Sequence, residues 1–191
     1  MAGFPSLDTL VLDPHFSGPP GTSAGGYACG AIGELVDGPA EVTLRSPPPL
    51  GVPLGVGFLP GGAIDVHDGD ALVMSARPVA GVDVEPPPRP SARSVLLLGA
   101  TVPSRDGVVA ADMVWAALDH ASATAAPRSS VLARLAVERL DCIEADEPVI
   151  ATGWQLASDG RAHQTAAALL SPDGDVLARA CALWISPRSP R

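Results

Sequence analysis

The order of the predicted elements limits the fold of this chain more than any other feature. Short apolar runs, separated by Gly, Pro and charged residues, predict a strand, a helix and four strands, and then the same series again. The helices are predicted at YACGAIGELV and ADMVWAALDHA, with Thr22 or Ser23 as N-cap of the first. We therefore expect two halves, at residues 1–80 and 95–191, joined by a proline-rich connector at 81–94.

A local identity supports an internal repeat. Residues 68–72 read DGDAL before the last predicted strand of the first half, and residues 173–177 read DGDVL before the last strand of the second. The Asp-Gly pair is also the ordinary signal of a hairpin turn, so chance similarity is the alternative.

Both predicted helices are apolar nearly all round, which is typical of a helix that other elements enclose. One long antiparallel sheet that wraps around two such helices gives an α+β layered fold. An ionisable group on an enclosed helix is partly desolvated, and this is costly unless the group is paired or used. Asp119, in the second helix, is such a group.

Composition excludes several classes of function. The formal charge of −9 argues against a nucleic-acid surface, and no uninterrupted apolar run has the length of a membrane span. Every cation is arginine, so there is no lysine amine for Schiff-base chemistry. No signal peptide is evident, and we expect a cytoplasmic protein.

No cofactor or metal signature is present either. The three cysteines and four histidines are dispersed without the spacing of a zinc site or a disulfide framework. Neither a dinucleotide-binding glycine motif nor a P-loop is found. We therefore expect no cofactor and no metal.

The two helices resemble the central helices of hotdog-fold thioesterases, in the double-hotdog form of the acyl-CoA thioesterase II branch. Leu118-Asp119-His120 is similar to the Leu-Asp-His of that branch, in which the Asp is catalytic. The first helix begins Ala24-Gly25-Gly26 and keeps a glycine pair, but it has Gly33 at the acidic position. The resemblance implies a double hotdog that hydrolyses an acyl-CoA or similar thioester.

The resemblance also implies roles for particular residues. Gly25 or Gly26 would polarise the thioester carbonyl through a backbone N–H, and Asp119 would be the base or nucleophile. The mirrored site, Ala110 and Ala111 with Gly33, would be inactive. Three residues are candidates for contact with the substrate: Tyr27, Trp115 and Glu34. For Tyr27, packing at the helix start is favoured over a catalytic role, and Glu34 is a reserve acid.

The chain departs from the thioesterase II pattern at the polar residues that hold the attacking water. The expected Thr and Gln are missing, and Gln155, Ser158 and Gln164 are the nearest substitutes in sequence. Candidates for binding the phosphates of CoA are four arginines in predicted connectors or turns, Arg89, Arg93, Arg128 and Arg161. Further association into a homo-oligomer is possible, because exposed sheet edges need covering.

Other interpretations of these residues stay open. Asp119 and His120 can both be solvated residues near a helix end, and neighbours in a helix diverge by about 100°, so they form no dyad. His163 is interpreted as a solvent-facing strand residue, and Cys29 as an inert core thiol. The alternative functions are a non-catalytic acyl or hydrophobic-ligand binder and an enoyl-thioester hydratase, for which Asp13-Pro14-His15 is a poor motif.

Overall fold

A computed structural model describes residues 8–87, 92–98 and 103–188. The first half contains β1 (Asp8–Val11), α1 (Gly25–Gly33), β2 (Ala40–Leu44), β3 (Pro53–Phe58), β4 (Ile64–Asp68) and β5 (Ala71–Pro78). The second contains β6 (Ala92–Leu96), β7 (Ser104–Arg105), β8 (Val108–Val109), α2 (Ala111–Ala123), β9 (Val131–Arg139), β10 (Val149–Asp159), β11 (Ala162–Leu170) and β12 (Val176–Ile185). The predicted order of strand, helix and four strands is thus present twice, with a small β7–β8 hairpin added.

Two local predictions need correction. The N-cap of α1 is Ala24, which makes no side-chain capping bond, so the prediction of Thr22 or Ser23 is wrong. The backbone N–H groups of Ser23 and Ala24 instead donate to loop carbonyls, which fixes the entry of the chain into the helix. The β6 strand begins at Ala92, inside the range expected for the connector, because Ala92 already pairs with Gly153 of β10.

Ten strands form one antiparallel sheet in the order β1-β3-β4-β5-β2-β9-β12-β11-β10-β6. With the β7–β8 hairpin left out of the count, the two halves have the same strand order from the outer edge inward: first, third, fourth, fifth and second strand of the half. The halves join where β2 pairs with β9, from Ala40 opposite Val137 to Thr43 opposite Arg134. In each half the helix connects the outermost strand to the strand at this junction.

The helices α1 and α2 lie antiparallel on one face of the sheet and pack against each other. Gly26 of α1 contacts Asp119 of α2, whereas Gly30, one turn later, contacts Asp112 at the start of α2. A Cβ on Gly30 would lie 2.7 Å from the Asp112 carbonyl oxygen, so glycine is what allows the helices to approach this closely. The core between helices and sheet includes the fully buried Leu118, Ile32 and Leu135.

The described part of the expected connector packs on the opposite face of the sheet. Val82 and Val84 are buried there against Trp154, Ala166 and Ala168. The Val82 N–H donates to the Glu138 carboxylate, which also accepts from Arg179. This covers the outer face of the second half. None of the described helices is long and apolar enough to cross a membrane.

Candidate active site

Asp119 and the start of α1 meet directly. The Gly26 N–H donates to Asp119 Oδ2 at 2.9 Å, across the contact between the two helices. Gly26 is the second residue of α1, and the N–H groups of the first turn have no partner within the helix. A Cβ on Gly26 would lie 2.8 Å from the Asp119 carboxyl carbon. The sequence therefore needs glycine here for the carboxylate to reach the helix end.

The surroundings of the Asp119 carboxyl have two opposite effects on its pKa. Burial raises its pKa from 3.8 to about 6, and the hydrogen bond from Gly26 lowers it, but less. Asp119 Oδ1 is buried and accepts no hydrogen bond within the described part of the chain. A carboxylate with one free oxygen and a pKa near neutrality is suited to accept a proton.

A cavity of about 480 Å³ opens beside this contact. Its wall is largely apolar and includes Asp119, Gly25, Leu132 and Trp184. No acceptor among the described residues contacts the Gly25 N–H, whereas that of Gly26 is bonded to Asp119. Of the two predicted glycines, Gly25 therefore has the N–H that remains for a ligand. Its Cα is tightly packed, since a Cβ there would lie 3.0 Å from Leu132.

The mirrored position between the helices is filled. A Cβ on Gly33 would overlap the indole of Trp115, which is 1% exposed. Trp115 Nε1–H donates to Glu34 at 2.7 Å, and Arg139 donates to the other oxygen of the same carboxylate at 2.8 Å. Trp115 and Glu34 line a different, smaller cavity from the one beside Asp119. The structure thus does not bring these two predicted contact residues together with Asp119.

Five further residues that the sequence analysis named lie outside the cavity beside Asp119. The Tyr27 ring stacks on Phe16, with centroids 4.2 Å apart, and does not line the cavity beside Asp119. His120 is exposed and Cys29 is buried, with burial raising the pKa of its thiol. Asp13 and His15 form a turn, in which the His15 N–H donates to the Asp13 carboxylate.

The expectation that His163 faces solvent is wrong. His163 is 8% exposed, and its two ring nitrogens contact the hydroxyls of Ser158 at 2.6 Å and Ser186 at 2.8 Å. Alternation in β11 puts His163 on the same face as the buried Thr165 and Ala167, toward the helices. Its cross-strand partner in β12 is Trp184, which is 7% exposed, so a contact between strands and not the local sequence places the histidine in the interior.

The polar substitutes expected for the missing Thr and Gln are not at the cavity. Gln155 and Gln164 are exposed, and Ser158 contacts His163 instead. Sequence reasoning missed Ser130, which lines the cavity and contacts Ser186 at 3.1 Å. Ser130 lies just before β9, where no motif distinguishes it from other loop serines.

Of the four candidate arginines, the two whose side chains are described do not line the cavity. Arg128 is exposed, Arg161 donates to the Ser186 carbonyl, Arg93 is in β6, and Arg89 lies outside the described residues. Among the side chains that the structure describes, Arg45, which follows β2, is the arginine that lines the cavity. It also borders a larger groove on the outer sheet face, where Glu41 pairs with Arg77. Among the described residues, no group of His, Cys, Asp and Glu could hold a metal ion.

Comparison with known proteins identifies the fold. No protein-family model matches the sequence, and no curated protein is similar to it in sequence. Solved structures do match over nearly the whole chain. One is a protein from Lactobacillus plantarum named provisionally as an oleoyl thioesterase, with a TM-score of 0.70, 9% identity and 96% of each chain covered.

Two other solved structures extend the comparison. A protein of unknown function with a hotdog fold from Alicyclobacillus acidocaldarius has a TM-score of 0.62, 12% identity and 97% of each chain covered. The acyl-CoA thioesterase II TesB2 from Mycobacterium marinum has a TM-score of 0.57 and 12% identity, covering 89% of this chain and 92% of its own. The described chain, a mostly antiparallel sheet with two helices on one face, therefore has the hotdog fold that thioesterases share.

Proposed function

We propose that this protein hydrolyses an acyl-CoA or similar acyl thioester at one composite site per chain. The observation that carries the proposal is the 2.9 Å contact between Asp119 Oδ2 and the Gly26 N–H, at the wall of a largely apolar cavity. A buried carboxylate beside the positive end of a helix, next to an apolar cavity, suits the hydrolysis of an acyl group attached to a good leaving group.

The proposed reaction uses the two glycines differently. The Gly25 N–H donates to the thioester carbonyl oxygen, and the Gly26 N–H holds Asp119 in place. Asp119 accepts a proton from a water molecule that attacks the carbonyl carbon. The C–S bond then breaks, and the thiolate leaves and is protonated. One such amide donor is worth about 10²–10³ in rate, and a general base about 10²–10⁴.

The repeated strand order of the two halves, with one helix in each, supports the double-hotdog form. Two equivalent sites would be expected from such a repeat. The Trp115 indole covers Gly33, the α1 position that corresponds to Asp119 of α2, and this supports a single site. The α1 end supplies the amides and α2 the carboxylate.

Arg45 supports CoA as the carrier. It is exposed at the edge of the cavity, and no ion pair of its side chain is seen within the described ranges. An arginine at the opening of an otherwise apolar cavity is placed for a phosphate group of the substrate.

The test follows the release of free thiol from a panel of acyl-CoAs of different chain length. We expect turnover by the wild type and its loss, by about 10²-fold or more, in Asp119→Asn. Asp112→Asn is the matched control, since Asp112 is on the same helix but does not line the cavity. Equal activity in Asp119→Asn contradicts the proposal, and loss in Glu34→Gln instead would transfer the role of base to the reserve acid.

A binder without catalysis is the second candidate. It is favoured by the exposed positions of Gln155 and Gln164, which leave the cavity without the expected water-holding pair. Saturable binding of acyl-CoA, with no thiol released by the wild type, would select this function. Hydration of an enoyl-CoA would select the hydratase.

A further inference from the structure

A chain of hydrogen bonds crosses four strands at one end of the sheet. Ser158 Oγ contacts His163 Nδ1 at 2.6 Å, His163 Nε2 contacts Ser186 Oγ at 2.8 Å, and Ser186 Oγ contacts Ser130 Oγ at 3.1 Å. These residues lie on or beside β10, β11, β12 and β9. Of the four, Ser130 lines the cavity that contains Asp119.

The tautomer of the buried imidazole sets the direction of this series of hydrogen bonds. A neutral histidine has one N–H and one acceptor nitrogen, so each hydroxyl in the chain is fixed as donor or acceptor by its neighbour. If His163 Nε2–H donates to Ser186, then Ser186 donates to Ser130, and the Ser130 hydroxyl hydrogen is left for the cavity. A largely apolar pocket with one oriented hydroxyl is typical of a site that recognises one polar group of its ligand.

Ser130 lies at the mouth of the cavity and Asp119 at its inner end. The register of β2 with β9 puts Ser130 at the same end of the sheet as Arg45, Ser46 and Pro47, which are exposed and line the cavity. The neighbouring Val131 is 55% exposed. Asp119 Oδ1 is buried. A thioester whose carbonyl reaches Asp119 therefore has its carrier arm beside Ser130.

We propose that Ser130, oriented through Ser186 by His163, donates a hydrogen bond to an amide carbonyl of the phosphopantetheine-type arm of the substrate. This rests on the proposed function and deepens it. The arm contains two amides, whereas the acyl chain beyond the thioester is apolar, so the arm is the part that offers an acceptor at the mouth. Ser130 is a binding residue, and Ser186 and His163 are positioning residues.

The experiment compares thioesters of one acyl group with three thiols: CoA, pantetheine and ethanethiol. The last gives an S-ethyl ester, which has no amide in its thiol part. Ser130→Ala is expected to raise KM about 3- to 10-fold for the CoA and pantetheine esters, which is the effect of one neutral hydrogen bond. It should leave kcat/KM for the S-ethyl ester unchanged. Ser130→Thr, which keeps the hydroxyl, should restore most of the affinity, and Ser186→Ala should act in the same direction as Ser130→Ala.

Ser171→Ala is the control, because Ser171 binds the Asp175 N–H in a turn away from the cavity. An equal loss on all three carriers would show that Ser130 acts at the reacting centre and would overturn the arm assignment, as would no loss on any. If the wild type cleaves no thioester and binds no S-alkyl-CoA thioether by calorimetry, the proposed function fails, and this inference with it. Wild-type turnover with an unaffected Ser130→Ala overturns the inference alone.

Discussion

At the scale of the residue, the proposal depends on the charge of Asp119. Its burial raises the carboxyl pKa to about 6, so the ionised form that can accept a proton prevails above that pH. The apolar helix segment predicted a partly desolvated acid from the sequence, and in the structure Asp119 is half-buried, with its Oδ1 atom fully covered. The resemblance to hotdog thioesterases places Asp119 in one site with Gly25 and Gly26, but it does not predict the direct hydrogen bond from the Gly26 N–H.

The first prediction concerns the pH dependence of the reaction. Because the base must be ionised, kcat/KM is expected to rise about tenfold per pH unit below pH 6 and to level off above it. Initial rates with one acyl-CoA between pH 4.5 and pH 8, the buffer range that brackets this pKa, would measure the profile. A profile that is flat through pH 6 would show that Asp119 is not the base.

The second prediction concerns stability. The pKa of Asp119 is raised on folding from 3.8, so ionising the group costs folding free energy. The penalty is absent below pH 3.8, grows as the pH rises through the folded pKa and is constant above it. Asp119→Asn removes this cost and is expected to be more stable than the wild type by about 3 kcal/mol at neutral pH. Urea unfolding would measure it, and the gain should disappear near pH 4.

Several residues around Asp119 could not be predicted from the spacing of residues in the sequence. Ser130 and Arg45 line the cavity only because β9 and β2 pair at the junction of the halves, a contact between distant segments. His163 is buried because its strand turns that face toward the helices. No local pattern in the sequence distinguishes these residues, so they could not be predicted.

At the scale of the element, the close approach of α1 and α2 determines the site. The glycine pair at the start of α1 was predicted as the carbonyl-polarising group, and the structure gives its members different surroundings. Gly26 accommodates the Asp119 side chain, and Gly25 faces Leu132 and the cavity. The sequence placed both helices within a few residues of their observed bounds, because their apolar and small residues are continuous.

The third prediction tests this contact. Gly26→Ala puts a Cβ 2.8 Å from the Asp119 carboxyl carbon, so the carboxylate must move away from the helix end. We expect a loss of kcat of about 10²-fold, which is typical of a catalytic group displaced by about 1 Å. Thiol release would measure it.

The control for this variant is Gly57→Ala in β3. A Cβ there would lie 3.8 Å from the Asp65 carbonyl oxygen, which is an ordinary contact. Gly57→Ala should keep wild-type activity. Full activity in Gly26→Ala would mean that the position of Asp119 against α1 is unimportant for the reaction.

At the scale of the whole molecule, the two halves have the same strand order, but the proposed site has one copy of each part. The repeat was predictable because each half presents the same series of elements in sequence. The asymmetry follows from single positions: Gly33 of α1 lies under Trp115, whereas Asp119 of α2 lies beside the cavity. The sequence shows that the first half has the glycine pair and the second half has the acid. It does not show that the Trp115 indole covers Gly33.

The most direct measurement is a crystal structure of Asp119→Asn with an uncleaved acyl-CoA bound. We expect one acyl-CoA per chain, with its thioester carbonyl oxygen about 2.7–3.1 Å from the Gly25 N and its carbonyl carbon beside residue 119. An acyl-CoA bound at the Trp115 end of the helices, or with its thioester remote from residue 119, would contradict the account.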